Sequence, residues 1–446
     1  MQYLHRWIVG FVIILTFGST VTGSGQDSAT AVPNGKKLTT LSQAITLALD
    51  RNPEILAAKR SWESARSQIP VSGSWPEPSL SFTQFARSVE TRNGPQQQQV
   101  AVNQMIPLWG KPGLRKQVAV RQANKAEQEY LAARRRIVAE LKQVWADLYR
   151  VDRSLQSLET YRNLIETVQE VAQTRYSTGK GNQTAVLKAR LEESRLSNKI
   201  LRYREMRTST LHQLNGLVNR PIPTEVTTVD TLPLPDYSMD EGTLMDLLAE
   251  SRQDLLGLRE MIAARESIVR LSHRRNLPSL GVGVNYITIG NTGLPGAPAP
   301  GTDAVALMAK IDLPLWFGSN KARVQSAKLA ESEIRYRYAA VRNSAEAEVR
   351  SLDFKIRQSL ESLKLYKENL IPEAEQALQS SLAAYKTGDL SFLDLLDSER
   401  VLLQLQLEYF QEQAGYFTHY ANLEKAVGVE LPLTDNPMEN TEEINK

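Results

Sequence analysis

The chain has 446 residues, and its 53 Lys and Arg nearly balance 50 Asp and Glu, so a formal charge of +3 gives no field that would draw nucleic acid. It contains no cysteine and only four scattered histidines, which excludes thiol chemistry and a structural zinc site, and no metal or cofactor is expected. With 41% hydrophobic residues it has the composition of an ordered protein.

Residues 1–25 open with His5 and Arg6, continue through the apolar run Trp-Ile-Val-Gly-Phe-Val-Ile-Ile-Leu-Thr-Phe, and end in small residues. That order predicts a secretory signal cleaved near Gly23 or Gly25. The competing reading, a permanent anchor, needs about 20 apolar residues, roughly twice what is present. With no cysteine to lipidate, any anchoring must come from the fold itself.

The remainder is written twice, in ordered landmarks recurring at an offset of roughly 200 to 210 residues. Leu47-Ala48-Leu49 before Asn52-Pro53 is echoed by Leu247-Leu248-Ala249 before Gln253-Asp254, each within a helical pattern running on to Gln68 or Ser272. Ile106-Pro107-Leu108-Trp109-Gly110 is matched by Leu313-Pro314-Leu315-Trp316-Phe317-Gly318, and Tyr176-Ser177-Thr178-Gly179 by Tyr385-Lys386-Thr387-Gly388. The halves span 26–218 and 239–430, joined by a proline-rich linker at 219–238 and followed by a polar tail at 431–446.

Each half reads helix, strand, strand, very long helix, turn, long helix. Strands are predicted at 79–86, 99–106, 280–289 and 304–313, close to the length of a tilted membrane strand. Alternation is clearest in the last, where Val305, Leu307, Ala309, Ile311 and Leu313 share a face opposite Lys310 and Asp312. The connections 87–98 and 290–302 are polar or rich in Gly and Pro and read as water-facing loops. Helical hairpins are predicted at 113–216 and 319–428. In the first, Leu141, Val144, Leu148, Val151, Leu155, Leu158, Ile165, Val168 and Ala172 form a coiled-coil seam. In the second, Pro372 interrupts a similar seam and should kink it.

Four short strands cannot close a barrel, and open sheet edges are not tolerated in hydrocarbon. If these are membrane strands, several chains must share one barrel. A small water-soluble β-layer capping a coiled coil fits the strand patterns equally well.

The ordered pattern resembles the TolC-type outer-membrane efflux proteins. The resemblance covers nearly the whole mature chain and rests on the Leu-Ala-Leu and Asn-Pro opening, the paired Pro-Leu-Trp strand exits, both Tyr-x-x-Gly turns and the run from Gly388 to Asp397. It implies a mainly α fold with a small β part. Three chains give a twelve-stranded transmembrane barrel, four strands each, on a long antiparallel α-helical coiled-coil tunnel in the periplasm. The implied function is a passive exit duct in the outer membrane of a Gram-negative bacterium. Its implied partners are two more copies of itself, a periplasmic membrane-fusion adaptor, outer-membrane lipid and an inner-membrane pump. The run from Gln104 to Lys111 and its repeat are most similar to members serving heavy-metal cation pumps of the resistance-nodulation-division class. The other readings are a periplasmic coiled-coil adaptor or scaffold and a duct for polypeptide secretion, whereas no acid-base constellation suggests an enzyme.

The resemblance also assigns candidate residues. Asp394 and Asp397, three apart on one helix face, match an acidic pair at the periplasmic entrance, where three chains form a carboxylate ring; as plain structure they are acids suited to a helix start. Tyr176, Gly179, Thr184, Tyr385, Gly388 and Leu390 mark the tip, the gate and the adaptor-docking surface, with the glycines also serving as helix terminators. The family's Arg–Asp gate bond has Leu390 and Ala185 at the aligned positions, so closure is expected to rest on coil packing instead. Trp109, Trp316 and Phe317, at the strand exits, are expected to form an aromatic girdle at the membrane interface or to pack against a turn. The basic cluster Arg270, His273, Arg274 and Arg275 reads as complementing a helix dipole.

Overall fold

A computed structural model describes residues 38–220, 226–291 and 301–431. The signal segment 1–25, the loop prolines 295, 298 and 300, Pro221, Pro223 and the tail from 432 onward lie outside the described residues.

In chain order the elements are α1 (Leu41–Arg51), α2 (Pro53–Gly73), β1 (Ser79–Gln84), β2 (Glu90–Thr91), β3 (Gly94–Ile106), α3 (Lys111–Ser177) and α4 (Gln183–Leu217). The second half repeats the plan as α5 (Glu241–Ser251), α6 (Gln253–Arg275), β4 (Ser279–Ile289), β5 (Ala304–Asp312), α7 (Phe317–Leu365), a π turn (Tyr366–Leu370), α8 (Ile371–Thr387) and α9 (Phe392–Val427).

The opening helix of each half is in fact two. Pro53 disfavours helical geometry at the residue before it, so Asn52 turns extended (ψ 124°) and its side chain caps α2 by accepting from the backbone N–H of Glu54 and Ile55. In the second half Arg252 takes the same extended geometry (ψ 115°) with no proline behind it; its side chain is held instead by Glu348, at 2.9 Å, and by the carbonyl of Ala426.

The 67 residues of α3 make a rod of about 100 Å at 1.5 Å per residue. Pro372 does not simply bend its counterpart. The missing N–H is accommodated by the π turn Tyr366–Leu370 just before it, which widens the helix where the ring would otherwise strike the preceding carbonyl.

Four antiparallel strands form the sheet in the order β1-β3-β4-β5, and β2 pairs with the start of β3. The segment 87–98 is therefore only partly loop. β3 starts at Gly94, whose φ of +134° suits glycine, and the Thr91 hydroxyl donates to the Gly94 carbonyl at 2.7 Å. Residues 96–99 are all glutamine, so hydrophobic alternation has nothing to register there. The register divides the sheet into unlike faces. Leu80, Val102, Val284 and Leu307 line up across it, as do Phe82, Val100, Tyr286 and Val305, and all are exposed. On the opposite face the corresponding row is Ser81, Ala101, Asn285 and Ala306.

Three apolar cores follow one another along the helices. One packs α1, the middle of α3 and the end of α4; a second packs α5, α7 and the end of α9; the third, farthest from the sheet, joins α3, α4, α8 and α9 around Leu158, Ile165, Leu196, Phe392 and Leu395. The proline-rich connection is part of this packing. Val226, Val229 and Leu232 enter the first core and Tyr237 the second, and the Val229 N–H donates to the buried carboxylate of Asp152 at 2.9 Å. Among the described residues no helix is long and apolar enough to cross a membrane.

Candidate functional site at the helical tip

Both coils reverse direction at the end remote from the sheet. At the first turn Gly179 takes φ +73°, its N–H donates to the Tyr176 carbonyl at 3.0 Å, and Asn182 caps α4 by accepting from the Thr184 N–H. Tyr176 is exposed, and so is Thr184. At the second turn Gly388 takes φ +99°, and the N–H groups of Gly388, Asp389 and Leu390 all converge on the Ala384 carbonyl. Tyr385 is buried there against Phe392, with ring centroids 6.2 Å apart.

Arg175 ties the two turns together. Its guanidinium donates to the Tyr385 carbonyl at 2.8 Å and lies 5.3 Å from that ring's centroid. The positive φ of Gly388 calls for glycine, and a Cβ there would sit 3.1 Å from the same guanidinium, which would have to shift slightly. Ala185 and Leu390 both pack on the tip core, which Tyr385 also joins. The cross-turn tie is thus Arg175 to Tyr385, and sequence reading passed over Arg175. Its signal was present: the repeat that aligns Tyr176 with Tyr385 sets Arg175 against Ala384.

Asp394 and Asp397 are exposed on α9, on the side away from buried Leu395, Leu396 and Glu399. Asp394 also belongs to the helix start: Ser391 accepts from its N–H, and the Ser391 hydroxyl donates to its carboxylate at 2.7 Å. Asp397 lies close enough to Arg400 to help hold that guanidinium's charge.

One turn farther along α9 is a buried polar cluster. Glu192 of α4 pairs with Arg400 and is almost wholly buried. Glu399 is 1% exposed, and among the described residues neither of its carboxylate oxygens has a hydrogen-bond partner, nor does the nearby buried Tyr161 hydroxyl. Burial, and then the Glu192 charge, push the Glu399 carboxyl up from 4.5 to about 7. Glu192 falls in line with Val186, Ala189, Leu196 and Ile200, and Glu399 with Leu395, Leu396 and Leu403, so an acid on an apolar seam was the available sequence signal.

The neutral acid binds its proton more tightly folded than unfolded. Its contribution to stability is complete below about pH 4.5 and is lost as pH rises through about 7, up to about 3 kcal/mol. Glu399→Gln keeps the shape and removes the titration. Thermal unfolding should then lose much of its pH dependence across that window, with the variant more stable than the parent at about pH 8. Parallel pH profiles for the two proteins would exclude this assignment.

The remaining candidates lie at the opposite end. Trp109 is 48% exposed, with φ +66° and its indole N–H donating to the Pro278 carbonyl at 2.8 Å. Trp316 and Phe317 are 81% and 77% exposed. Trp75, between α2 and β1, is also exposed at this level and was not singled out from the sequence. Among the described residues no cluster of acids and histidines could hold a metal ion.

The two halves are similar to one family as well as to each other. The sequence model of the outer membrane efflux protein family matches residues 44–220 and, again, residues 244–429. The chain belongs to the outer membrane efflux protein family. It is 22% identical, over 83% of its length and 85% of the relative's, to the cobalt-zinc-cadmium resistance protein CzcC of Cupriavidus metallidurans. Its fold is similar to the crystal structure of the outer membrane protein VceC of Vibrio cholerae, with a TM-score of 0.72 and 20% identity over 88% of this chain and 97% of that one. CusC, a protein whose crystal structures concern transmembrane channel formation, gives a TM-score of 0.75 at 16% identity over 87% of this chain and 92% of that one. As an outer membrane efflux protein the chain is an outer-membrane channel component of efflux, with a helical tunnel and a small β part, and a coiled-coil scaffold without a channel is set aside.

Proposed function

We propose that three copies assemble into one conduit, with twelve strands closing a barrel in the outer membrane and the helices forming a tunnel into the periplasm. The observation that carries this reading is the sheet. One face is a continuous apolar surface from Leu80 to Leu307, while β1 and β5 each leave an edge without a strand partner among the described residues. Hydrocarbon accepts the face and rejects the edges, so the strands require neighbours of their own kind.

In this reading the duct is passive. An inner-membrane pump of the resistance-nodulation-division class supplies the free energy, and a periplasmic adaptor docks at the turns around Tyr176, Gly179, Thr184, Tyr385, Gly388 and Leu390. The name of CzcC supports heavy-metal cations as the cargo. Asp394 and Asp397, exposed and on one face of α9, would contribute six carboxylates at the entrance. Such a ring draws cations without holding them tightly.

Purified protein should require detergent, sediment as a trimer and conduct ions in planar bilayers. The double variant Asp394→Asn with Asp397→Asn should lower cation selectivity and weaken blockade by trivalent metal ions. Conductance and blockade identical to the parent would remove the pair from the entrance.

A further inference from the structure

Three segments meet where the sheet passes into the helices, and all three are basic. From 109 to 126 the chain carries Lys111, Arg115, Lys116, Arg121 and Lys125 without one Asp or Glu; from 267 to 278 it carries Arg270, Arg274 and Arg275 with His273, again without an acid; and from 313 to 330 it carries Lys321, Arg323 and Lys328, once more without one. Over the whole chain the two signs almost cancel, so the excess is local.

They occupy one end of the molecule. Lys111 donates to the Leu277 carbonyl at 3.1 Å and to the Ser279 hydroxyl at 3.0 Å, placing the start of α3 on the end of α6. Burial and the charge of Arg275 both lower the Lys111 pKa, so the cations feel one another. The stem of Lys116 lies against Gly73 at the end of α2.

Helix dipoles account for only part of this. Arg274 and Arg275 end α6, where the dipole favours cations, but Lys111 opens α3, where it disfavours them, and Arg115, Lys116, Lys321 and Arg323 lie in the second turns of α3 and α7, beyond its reach. Internal ion pairs do not account for it either. Farther along α3, Arg121 pairs with Glu260 at 3.1 Å and Lys125 with Glu129 at 2.5 Å. Nearer the sheet, among the described residues, Lys111, Arg115, Lys116, Arg274, Arg275 and Lys321 form no ion pair. The acids that border these segments are Glu127, Glu266, Asp312 and Glu331; Glu266 and Glu331 pair with Arg335 at 2.6 and 2.9 Å, and Asp312 is held by Lys310 at 3.2 Å.

The same level carries exposed Trp75, Trp109, Trp316 and Phe317, the residue types that settle among lipid headgroups. Cations just beyond such aromatics face the phosphate layer of the leaflet at that end. We infer that this collar is a binding surface for the phosphates of anionic phospholipids, an annulus that fixes the depth of the protein by charge as the aromatics fix it by polarity. The inference rests on the sheet lying in the membrane and is independent of the adaptor, the pump and the cargo.

The test uses the full protein in lipid nanodiscs, with Trp fluorescence quenched by brominated phosphatidylglycerol or brominated phosphatidylcholine. The parent should favour the anionic lipid by at least about fivefold at low salt, a preference that falls as salt is raised. Combined Lys116→Gln, Arg274→Gln, Arg275→Gln and Lys321→Gln should bring the two lipids close to parity. The single Arg274→Gln covers the case in which that combination fails to fold, and should give an intermediate ratio. Arg274→Lys with Arg275→Lys should retain the preference. Parity in the parent, or an undiminished preference in the Gln variants, would overturn the collar. Loss of the preference on adding millimolar inorganic phosphate at constant ionic strength would also overturn it, by showing a site for free phosphate. A chain that never enters the nanodisc would instead defeat the membrane assignment beneath it.

Discussion

Leu307→Arg should block assembly in the membrane. Leu307 is 85% exposed near the middle of β5 and stands in line with Val284, Val102 and Leu80 on the apolar face of the sheet. An arginine on the lipid side of a barrel costs about 2–4 kcal/mol near the bilayer centre, and three copies per barrel would multiply that cost. The expected result is loss of folded trimer on refolding into vesicles, measured by heat-modifiable electrophoretic mobility against urea concentration. Ala306→Lys, one residue away on the other face, should assemble and change conductance instead. If the two substitutions were equally tolerated, the lipid and interior faces would have to be exchanged or abandoned.

The second large effect is expected far from the membrane. Asp152 is 4% exposed, accepts from Arg207 Nε at 2.5 Å through one oxygen and from the Val229 N–H at 2.9 Å through the other. One carboxylate thus ties α3 to α4 and both to the connection between the halves. Asp152→Ala leaves a guanidinium and a buried N–H without an acceptor, a loss of about 3–5 kcal/mol for a broken buried pair. Hydrogen exchange should show the Val229 amide losing protection, with the midpoint of urea unfolding shifted down. Asp152→Asn, which retains an acceptor, should lose less. Full protection of that amide in the Ala variant would mean the connection is held by its apolar packing alone.

The fold was legible wherever the chain repeats itself. Two copies of one pattern, each passing from period 3.6 to period 2 and back, announced coils joined to short strands, and the Pro-Leu-Trp exits located where one gave way to the other. Legibility failed where the determinant is not periodic. The break at Asn52 depends on Pro53 and a side-chain cap inside what scans as a single amphipathic stretch, and the break at Arg252 on a distant partner, Glu348. The glutamines of early β3 carry no hydrophobic signal, so the ladder there is set by the turn at Gly94 and by pairing with β4.

Of the tip, the turns could be read from their glycines but not what joins them. Arg175 reaches a carbonyl 210 residues away, a distance along the chain that only folding closes. Glu192 and Glu399 were not singled out from the sequence, and that the two acids come near one another on different helices follows from the way α4 and α9 flank α3.

The π turn at Tyr366–Leu370 makes the duplicated halves mechanically unlike. α3 runs uninterrupted through 67 residues, whereas its counterpart is divided between α7 and α8. A helix resists bending through its unbroken ladder of hydrogen bonds, and compliance gathers where that ladder changes step. A load at the tip is therefore expected to bend α7–α8 at the π turn before it bends α3, one strut being continuous and the other jointed. The joint lies in the second half, between the second core and the third.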